Sequence, residues 1–277
     1  MRIEKIELKN TGYGKQKVIL TAYIQERLGK TEDFLRPAVI ICPGGGYEFT
    51  TERESEPVAL AFMEKGYQAF VLDYTVLNQD EKKELMPHPL YNLAEAVCYV
   101  RSNRKKFKVD GNKISIIGFS AGGHLCAMYD GVYAQEWFVE QTGYSEEEMK
   151  PNYAVLCYPV IDFSLGWPET KKQTFSITSQ PEKYKAQELI SSAKTPPTFI
   201  WHTVSDEGVP VQNTLQYVQK LEEHKIDFEC HLFHRGRHGL SLANAQSAKI
   251  MDDTYINRHA AKWFSLMIEW LNEHYSS

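Results

Sequence analysis

No stretch of the chain restricts its fold more than Ser115-Ile116-Ile117-Gly118-Phe119-Ser120-Ala121-Gly122-Gly123-His124. A short apolar run enters Gly-x-Ser-x-Gly and a helical segment leaves it, the context that a strained strand-to-helix turn presenting a serine requires. The serine of such a turn sits in a sparsely populated backbone conformation, and side chains at Gly118 or Gly122 would collide with neighbouring chain. A helix starting under Ser120 aims the Ala121 N–H at any negative charge that forms beside the hydroxyl. Glycine-rich turns of this kind also bind phosphate or simply pack closely. Ser120 becomes a nucleophile only in company: an oxyanion partner upstream, then an acid and a histidine downstream, in that order.

The rest of the composition narrows the setting. At 277 residues, 43% hydrophobic and 24% charged, the chain has enough apolar material for one large domain. A net charge of -5 with no basic arm or stripe argues against a nucleic-acid surface, which depends on clustered Lys and Arg. The opening Met1-Arg2-Ile3-Glu4-Lys5 carries mixed charge, and no later run approaches a membrane span, so a cytoplasmic protein is expected. The five cysteines are widely spaced and the nine histidines scattered, without Cys-x-x-Cys or His-Glu-x-x-His. Reduced core thiols and no metal site are predicted.

Taken in order, Ile3 to Leu8 and Val18 to Ile24 alternate as a leading antiparallel pair. The apolar run from Pro37 to Cys42 then empties into Pro43-Gly44-Gly45-Gly46-Tyr47. Consecutive glycines let backbone N–H groups turn towards a ligand, so Gly45 and Gly46 are the candidate second half of an oxyanion hole. A phosphate loop would need a following Lys-Ser/Thr, which is absent. A helix is predicted over Ser55 to Lys65, a strand over Ala69 to Leu72, an irregular stretch over Thr75 to Pro89, and a long helix from Leu90 that ends before an Asp110-Gly111 turn. Further strands are expected at Tyr153 to Tyr158, Thr198 to His202 and Phe228 to Phe233, with helices at about Val211 to Lys225 and Asp253 to His274. Strands and helices alternating at this rate predict an α/β fold with a mostly parallel central sheet flanked by helices. Between about 163 and 195 the periodicity is lost, and Trp167, Phe175 and Tyr184 stand among polar residues. This is the expected small cap over the carboxyl end of the sheet.

Asp206 follows the Thr198 strand and His238 follows the Phe228 strand. Ser120, Asp206 and His238 therefore come in the order serine, acid, histidine at one edge of the sheet, where ligands gather in open α/β folds. His238 would take the serine proton and Asp206 would fix its tautomer. Competing readings make Asp206 a cap ahead of Pro210 and His238 a loop histidine held by backbone. Asp162 and Glu207 are the rival acids, His234 the rival base, and His124 and His202 are expected as satisfied polar residues near the sheet.

The motifs Pro43-Gly44-Gly45-Gly46-Tyr47, Gly118-Phe119-Ser120-Ala121-Gly122-Gly123-His124 and Arg237-His238-Gly239-Leu240-Ser241 resemble those of α/β-hydrolases, within them the bacterial acetyl esterases of the acetyl-xylan-esterase-like kind. Hormone-sensitive-lipase relatives carry His ahead of the glycines, where this chain has Pro43. The resemblance covers nearly the whole chain and implies one α/β-hydrolase domain over 1-277, an eight-stranded sheet with a cap, no cofactor, and hydrolysis of short acyl esters, often on sugars. The expected enzyme is a serine carboxylesterase acting through an acyl-enzyme, with Ser120, Asp206 and His238 catalytic, Gly45, Gly46 and Ala121 as the oxyanion hole, and Tyr47 and Trp167 binding substrate. Its expected partner is a small-molecule ester, an acetylated sugar among the candidates, with no nucleic acid and no membrane; a homo-oligomer is left open. An arylformamidase-like amidase and a catalytically silent binding protein of the same fold are the alternatives.

Overall fold

The computed structural model describes residues 1–9, 12–26, 34–78 and 83–276. The remainder of the expected domain, including 79–82 of the stretch read as irregular, lies outside the described residues. Eight strands form one sheet: β1 (Arg2–Glu7), β2 (Ile19–Ile24), β3 (Arg36–Cys42), β4 (Gln68–Asp73), β5 (Val109–Phe119), β6 (Tyr153–Cys157), β7 (Thr198–Thr203) and β8 (Phe228–Phe233). Their order is β1-β2-β4-β3-β5-β6-β7-β8. The β1–β2 and β2–β4 pairs are antiparallel and every other pair is parallel. The helices are α1 (Glu56–Glu64), α2 (His88–Ser102), α3 (Arg104–Phe107), α4 (Ala121–Val132), α5 (Glu136–Thr142), α6 (Glu146–Met149), α7 (Lys171–Ile177), α8 (Gln212–Glu223) and α9 (Trp263–Ser276).

Strand alternation divides the core in two. Ile40, Ile116, Leu156 and Ile200 face one side and pack with Leu93, Leu125 and Leu221 of α2, α4 and α8. Their neighbours Ile41, Ile117, Cys157 and Trp201 face the other side and meet Phe62 of α1 and Trp263 of α9. Both faces are buried, which is why the central strands read as continuous apolar runs. The strand order reverses between β3 and its neighbours β4 and β5, so the connections leaving β3 and β5 run on in opposite directions from a start side by side at the carboxyl end of the sheet, the place where ligands gather in such folds.

Two boundaries differ from the sequence reading by more than two residues. Asp110 and Gly111 lie inside β5, which pairs Val109 with Arg36 and shifts register before Ile114 meets Ala38. The irregularity absorbs residues that, by composition, signal a turn. The last helix begins at Trp263, ten residues after the predicted start at Asp253, because 253–262 forms two short 3-10 turns. There the Asn257 side chain accepts from the N–H groups of His259 and Ala260, capping the second turn.

Candidate active site

At the end of β5, Ser120 has φ 53 and ψ -117, a conformation that a non-glycine residue holds only when its surroundings over-determine it. They do so here. Ser120 N–H donates to the Cys157 carbonyl, and the Ser120 carbonyl accepts from His124 and Val160. A methyl group at Gly118 would run into the Gly122 backbone, and one at Gly122 into the Cys42 and Pro43 carbonyls. The loop from β3 thus lies directly against the serine turn.

The loops after β7 and β8 bring up the acid and the histidine. His238 Nε2 is 2.8 Å from Ser120 Oγ and its Nδ1 is 2.7 Å from Asp206 Oδ2. Asp206 Oδ1 accepts from the N–H groups of Gly208 and Val209, each at 2.9 Å. Burial alone would raise the Asp206 carboxyl, but hydrogen bonds from His202 and His238 outweigh it and hold the group below the usual carboxylate range. His202 Nε2 lies 3.0 Å from the Val209 carbonyl and 3.3 Å from Asp206 Oδ2. Both are acceptors, so the His202 proton sits on Nε2, and Nδ1 accepts from the Thr214 hydroxyl at 2.8 Å. The acid loop is tied to the histidine loop through Thr203 and Ser205, whose hydroxyls donate to the Gly236 carbonyl.

In the glycine loop, φ is 132 at Gly45 and 66 at Gly46, values that suit glycine. Among the described residues, the N–H groups of Gly45, Gly46 and Ala121 meet no protein acceptor, which leaves them available to a ligand beside Ser120. Sequence reasoning missed what holds this loop. Glu54 is buried, accepts the Gly44 N–H at 2.8 Å and accepts the Tyr158 hydroxyl at 2.6 Å; the Tyr158 oxygen in turn accepts the Ser241 N–H at 2.8 Å. One carboxylate therefore joins the glycine loop to the loop that carries His238. Nothing in Thr51-Glu52-Arg53-Glu54-Ser55 separates the buried Glu54 from the exposed Glu52, and the segment reads as a solvated charged turn.

A family model described as BD-FAE matches residues 27–221. The chain belongs to the BD-FAE family. Over 216 residues it is 34% identical to endo-1,4-beta-xylanase B of Butyrivibrio fibrisolvens, covering 77% of this chain and 34% of that protein. To an acetylxylan esterase of Xylanibacter ruminicola it is 26% identical, covering 74% of this chain and 41% of that one. The chain therefore spans a third to two fifths of the length of these two curated relatives. Among solved structures, the carboxylesterase Cest-2923 of Lactobacillus plantarum superposes with a TM-score of 0.91 at 34% identity, covering 99% of this chain and 98% of that chain. An acetyl ester-xyloside bifunctional hydrolase of Caldicellulosiruptor lactoaceticus superposes at 0.77 and 30% identity, covering 98% and 96%. These neighbours and the eight-stranded sheet establish the α/β-hydrolase fold.

Around Ser120 this BD-FAE member has a pocket of about 490 Å³, lined in part by Gly45, Gly46, His238 and Trp167, a size that suits a small ligand. Trp167 Cζ2 would lie 3.6 Å from a Cβ on Gly46, so the cap reaches the glycine loop. Tyr47 takes a different place from the one expected. Its backbone is left-handed, with φ 62, and its side chain is wholly buried with its hydroxyl 2.9 Å from His124 Nδ1. It braces the loop from below and does not line the pocket. Tyr184 lines a separate cavity with Leu90 and Met128 and not the pocket beside Ser120.

The other candidate residues stand outside the relay. His124 donates from Nε2 to the Tyr184 carbonyl at 2.9 Å and so accepts the Tyr47 hydroxyl at Nδ1, linking glycine loop, α4 and cap. Asp162 takes the N–H and hydroxyl of Ser164, the Gln187 amide and the Lys185 ammonium, clamping both ends of the cap. Glu207 and His234 are exposed. Among the described residues, no group of three or more His, Cys, Asp or Glu side chains is placed to hold a metal ion, and no helix is long and apolar enough to cross a membrane.

Proposed function

We propose that the protein is a serine carboxylesterase that removes short acyl groups, acetyl foremost, from sugars or small oligosaccharides through an acyl-enzyme. The observation that carries the reading is the unbroken relay from Ser120 through His238 to Asp206 at the pocket, with three unused backbone donors beside the serine. Asp206 fixes the proton of His238 on Nδ1, leaving Nε2 to accept the Ser120 proton as Oγ attacks the ester carbonyl. The N–H groups of Gly45, Gly46 and Ala121 stabilise the tetrahedral oxyanion. Imidazolium His238 then protonates the departing alcohol, and the same groups guide water through the second half of the reaction. The names of the relatives support an ester, and a xylan-type sugar among its alcohols.

A fluorophosphonate probe and a p-nitrophenyl ester series test this together. Labelling confined to Ser120, with acetate cleaved faster than octanoate, is the expected result. An unlabelled folded protein would favour the silent binding fold, and formylkynurenine turned over faster than any ester would favour the amidase.

A further inference from the structure

One wall of the pocket is cationic in a way that the hydrolytic relay does not use. Tyr255 lines it, with the Arg53 guanidinium carbon 3.8 Å and the Arg237 carbon 4.0 Å from its ring centroid, and Lys249 Nζ 5.4 Å away. Each contact alone is an ordinary cation–π pair. Together they gather three positive charges around one ring, Arg53 and Arg237 lying closer to one another than a Debye length of about 8 Å in physiological salt.

Their own neighbours leave part of that charge unanswered. Arg53 donates Nε to the Ser247 carbonyl and one Nη to Gly239, and among the described residues it has no carboxylate partner. Arg237 bonds the Thr254 hydroxyl and lies 3.5 Å from Asp252, its single acidic neighbour at that range among the described residues. Lys249 forms no ion pair among the described residues, but it lies within electrostatic reach of Asp252 and shares that carboxylate with Arg237. Of the acids lining the pocket, Glu54 is held by Gly44 and Tyr158 and lies within electrostatic reach of Arg53, and among the described residues neither it nor Glu48 forms an ion pair with any of the three. Like charges held this close repel, and an anion placed among them relieves the repulsion.

The position says which half of a substrate meets this wall. Arg237 precedes His238, and His238 must face the departing alcohol in order to protonate it. The geometry points to an alcohol half that bears a carboxylate, as in an acetylated acidic sugar, with Arg237, Arg53 and Lys249 as its receptor. Three cations set against the Asp252 and Glu54 carboxylates leave one positive charge over, so the wall is matched to a single negative charge, and the guanidinium edges suit a carboxylate. This inference rests on the esterase reading and extends it to the substrate's charge.

The test compares p-acetoxybenzoate with neutral p-acetoxybenzamide, which put the charge on the alcohol, and p-nitrophenyl hemisuccinate with p-nitrophenyl butyrate, which put it on the acyl half. An O-acetyl glucuronic acid and O-acetyl glucose pair repeats the first comparison on sugars. Wild type should prefer the anionic alcohol by about tenfold in kcat/KM, carried mostly by KM, with the preference lost at about 0.5 M salt. Lys249→Gln and Arg237→Gln should each cut the anionic-to-neutral ratio by about three- to fivefold, the range of a partly exposed ion pair. Because both esters are measured on one sample, a partly unfolded variant leaves the ratio readable. Turnover of the neutral ester without preference for the anion overturns this inference alone. A preference confined to hemisuccinate, or one that both variants leave intact, overturns it as well. Failure to cleave any of the esters overturns the esterase reading instead.

Discussion

Replacing Glu54 by Gln changes a single buried atom pair and should loosen two loops at once. The carboxylate is 2% exposed and accepts two hydrogen bonds, from the Gly44 N–H and the Tyr158 hydroxyl. Burial raises its carboxyl, and the bonds from Tyr158 and Gly44 work against that rise. A glutamine in the same place has one acceptor oxygen and an amide nitrogen, so one of the two donors is left facing another donor. Losing a hydrogen bond to a charged acceptor costs about 1.5 to 3 kcal/mol, which in a chain of this size lowers Tm by roughly 3 to 5 °C. The catalytic effect is separate. Gly44 leads into Gly45 and Gly46, and removing one oxyanion donor outright costs about 10² to 10³ in kcat; a donor that is only loosened should cost about 10 to 10², with KM little changed. Thermal melts and steady-state kinetics on p-nitrophenyl acetate measure the two effects. Tyr158→Phe breaks the same link from the other side, so the double variant should lose less than the sum of the singles. Wild-type Tm and kcat in Glu54→Gln, or strict additivity with Tyr158→Phe, would refute the account of Glu54 as a shared brace.

Ser120→Ala in a folded protein should lower kcat by about 10⁵ to 10⁶, since the members of such a relay act as a unit; substantial residual turnover would remove the serine from the mechanism. Asp206→Asn should cost about 10⁴ through the wrong imidazole tautomer, whereas Asp162→Asn should mainly loosen the cap, and the opposite ranking in kcat would exchange their roles. His124 is fully buried, and desolvation holds it down to about 4 against an ordinary 6.5. Between those values the unfolded chain binds a proton that the native state does not, so stability is complete above pH 6.5 and falls by about 3 kcal/mol towards pH 4. Urea melts should show this slope in wild type and a shallower one in His124→Asn. Both Asp130 oxygens are buried without a hydrogen-bond partner among the described residues, and burial pushes the carboxyl well up. Here the native state holds the proton that the unfolded chain releases, so Asp130→Asn should gain stability relative to wild type as pH rises from 4 to 8, and a gain that is flat with pH would contradict it.

Most of the framework could be read from local pattern because the features were written in single short segments. A run such as Phe228 to Phe233 is a strand wherever it packs, and Ser120, Asp206 and His238 each follow a strand that the apolar pattern marks. Side-chain direction within loops was not legible. Tyr47 follows the glycines that line the pocket, yet a left-handed φ turns its ring beneath them. Glu54 and Tyr255 depend on contacts made across the chain, to Tyr158 and to Arg53 and Arg237. The late start of α9 is part of the same problem: a helix from Asp253 would have carried Tyr255 off the loop that lines the pocket. Asp162 stood at the end of a strand as Asp206 did, and only the cap folding back through Lys185 and Gln187 assigns it elsewhere.

The crowding at Gly118 and Gly122 also governs how this scaffold can be re-engineered. What an added methyl would strike at either position is main chain: the Gly122 backbone in one case, the Cys42 and Pro43 carbonyls in the other. A side chain in the way can be trimmed by a second substitution, but a peptide unit cannot, so a saturation library should return glycine alone at both positions whatever is varied around them. Altered substrate range would then emerge from the movable walls, Trp167 on the cap and the Lys249 to Tyr255 loop, with the serine turn as the fixed part of every surviving clone.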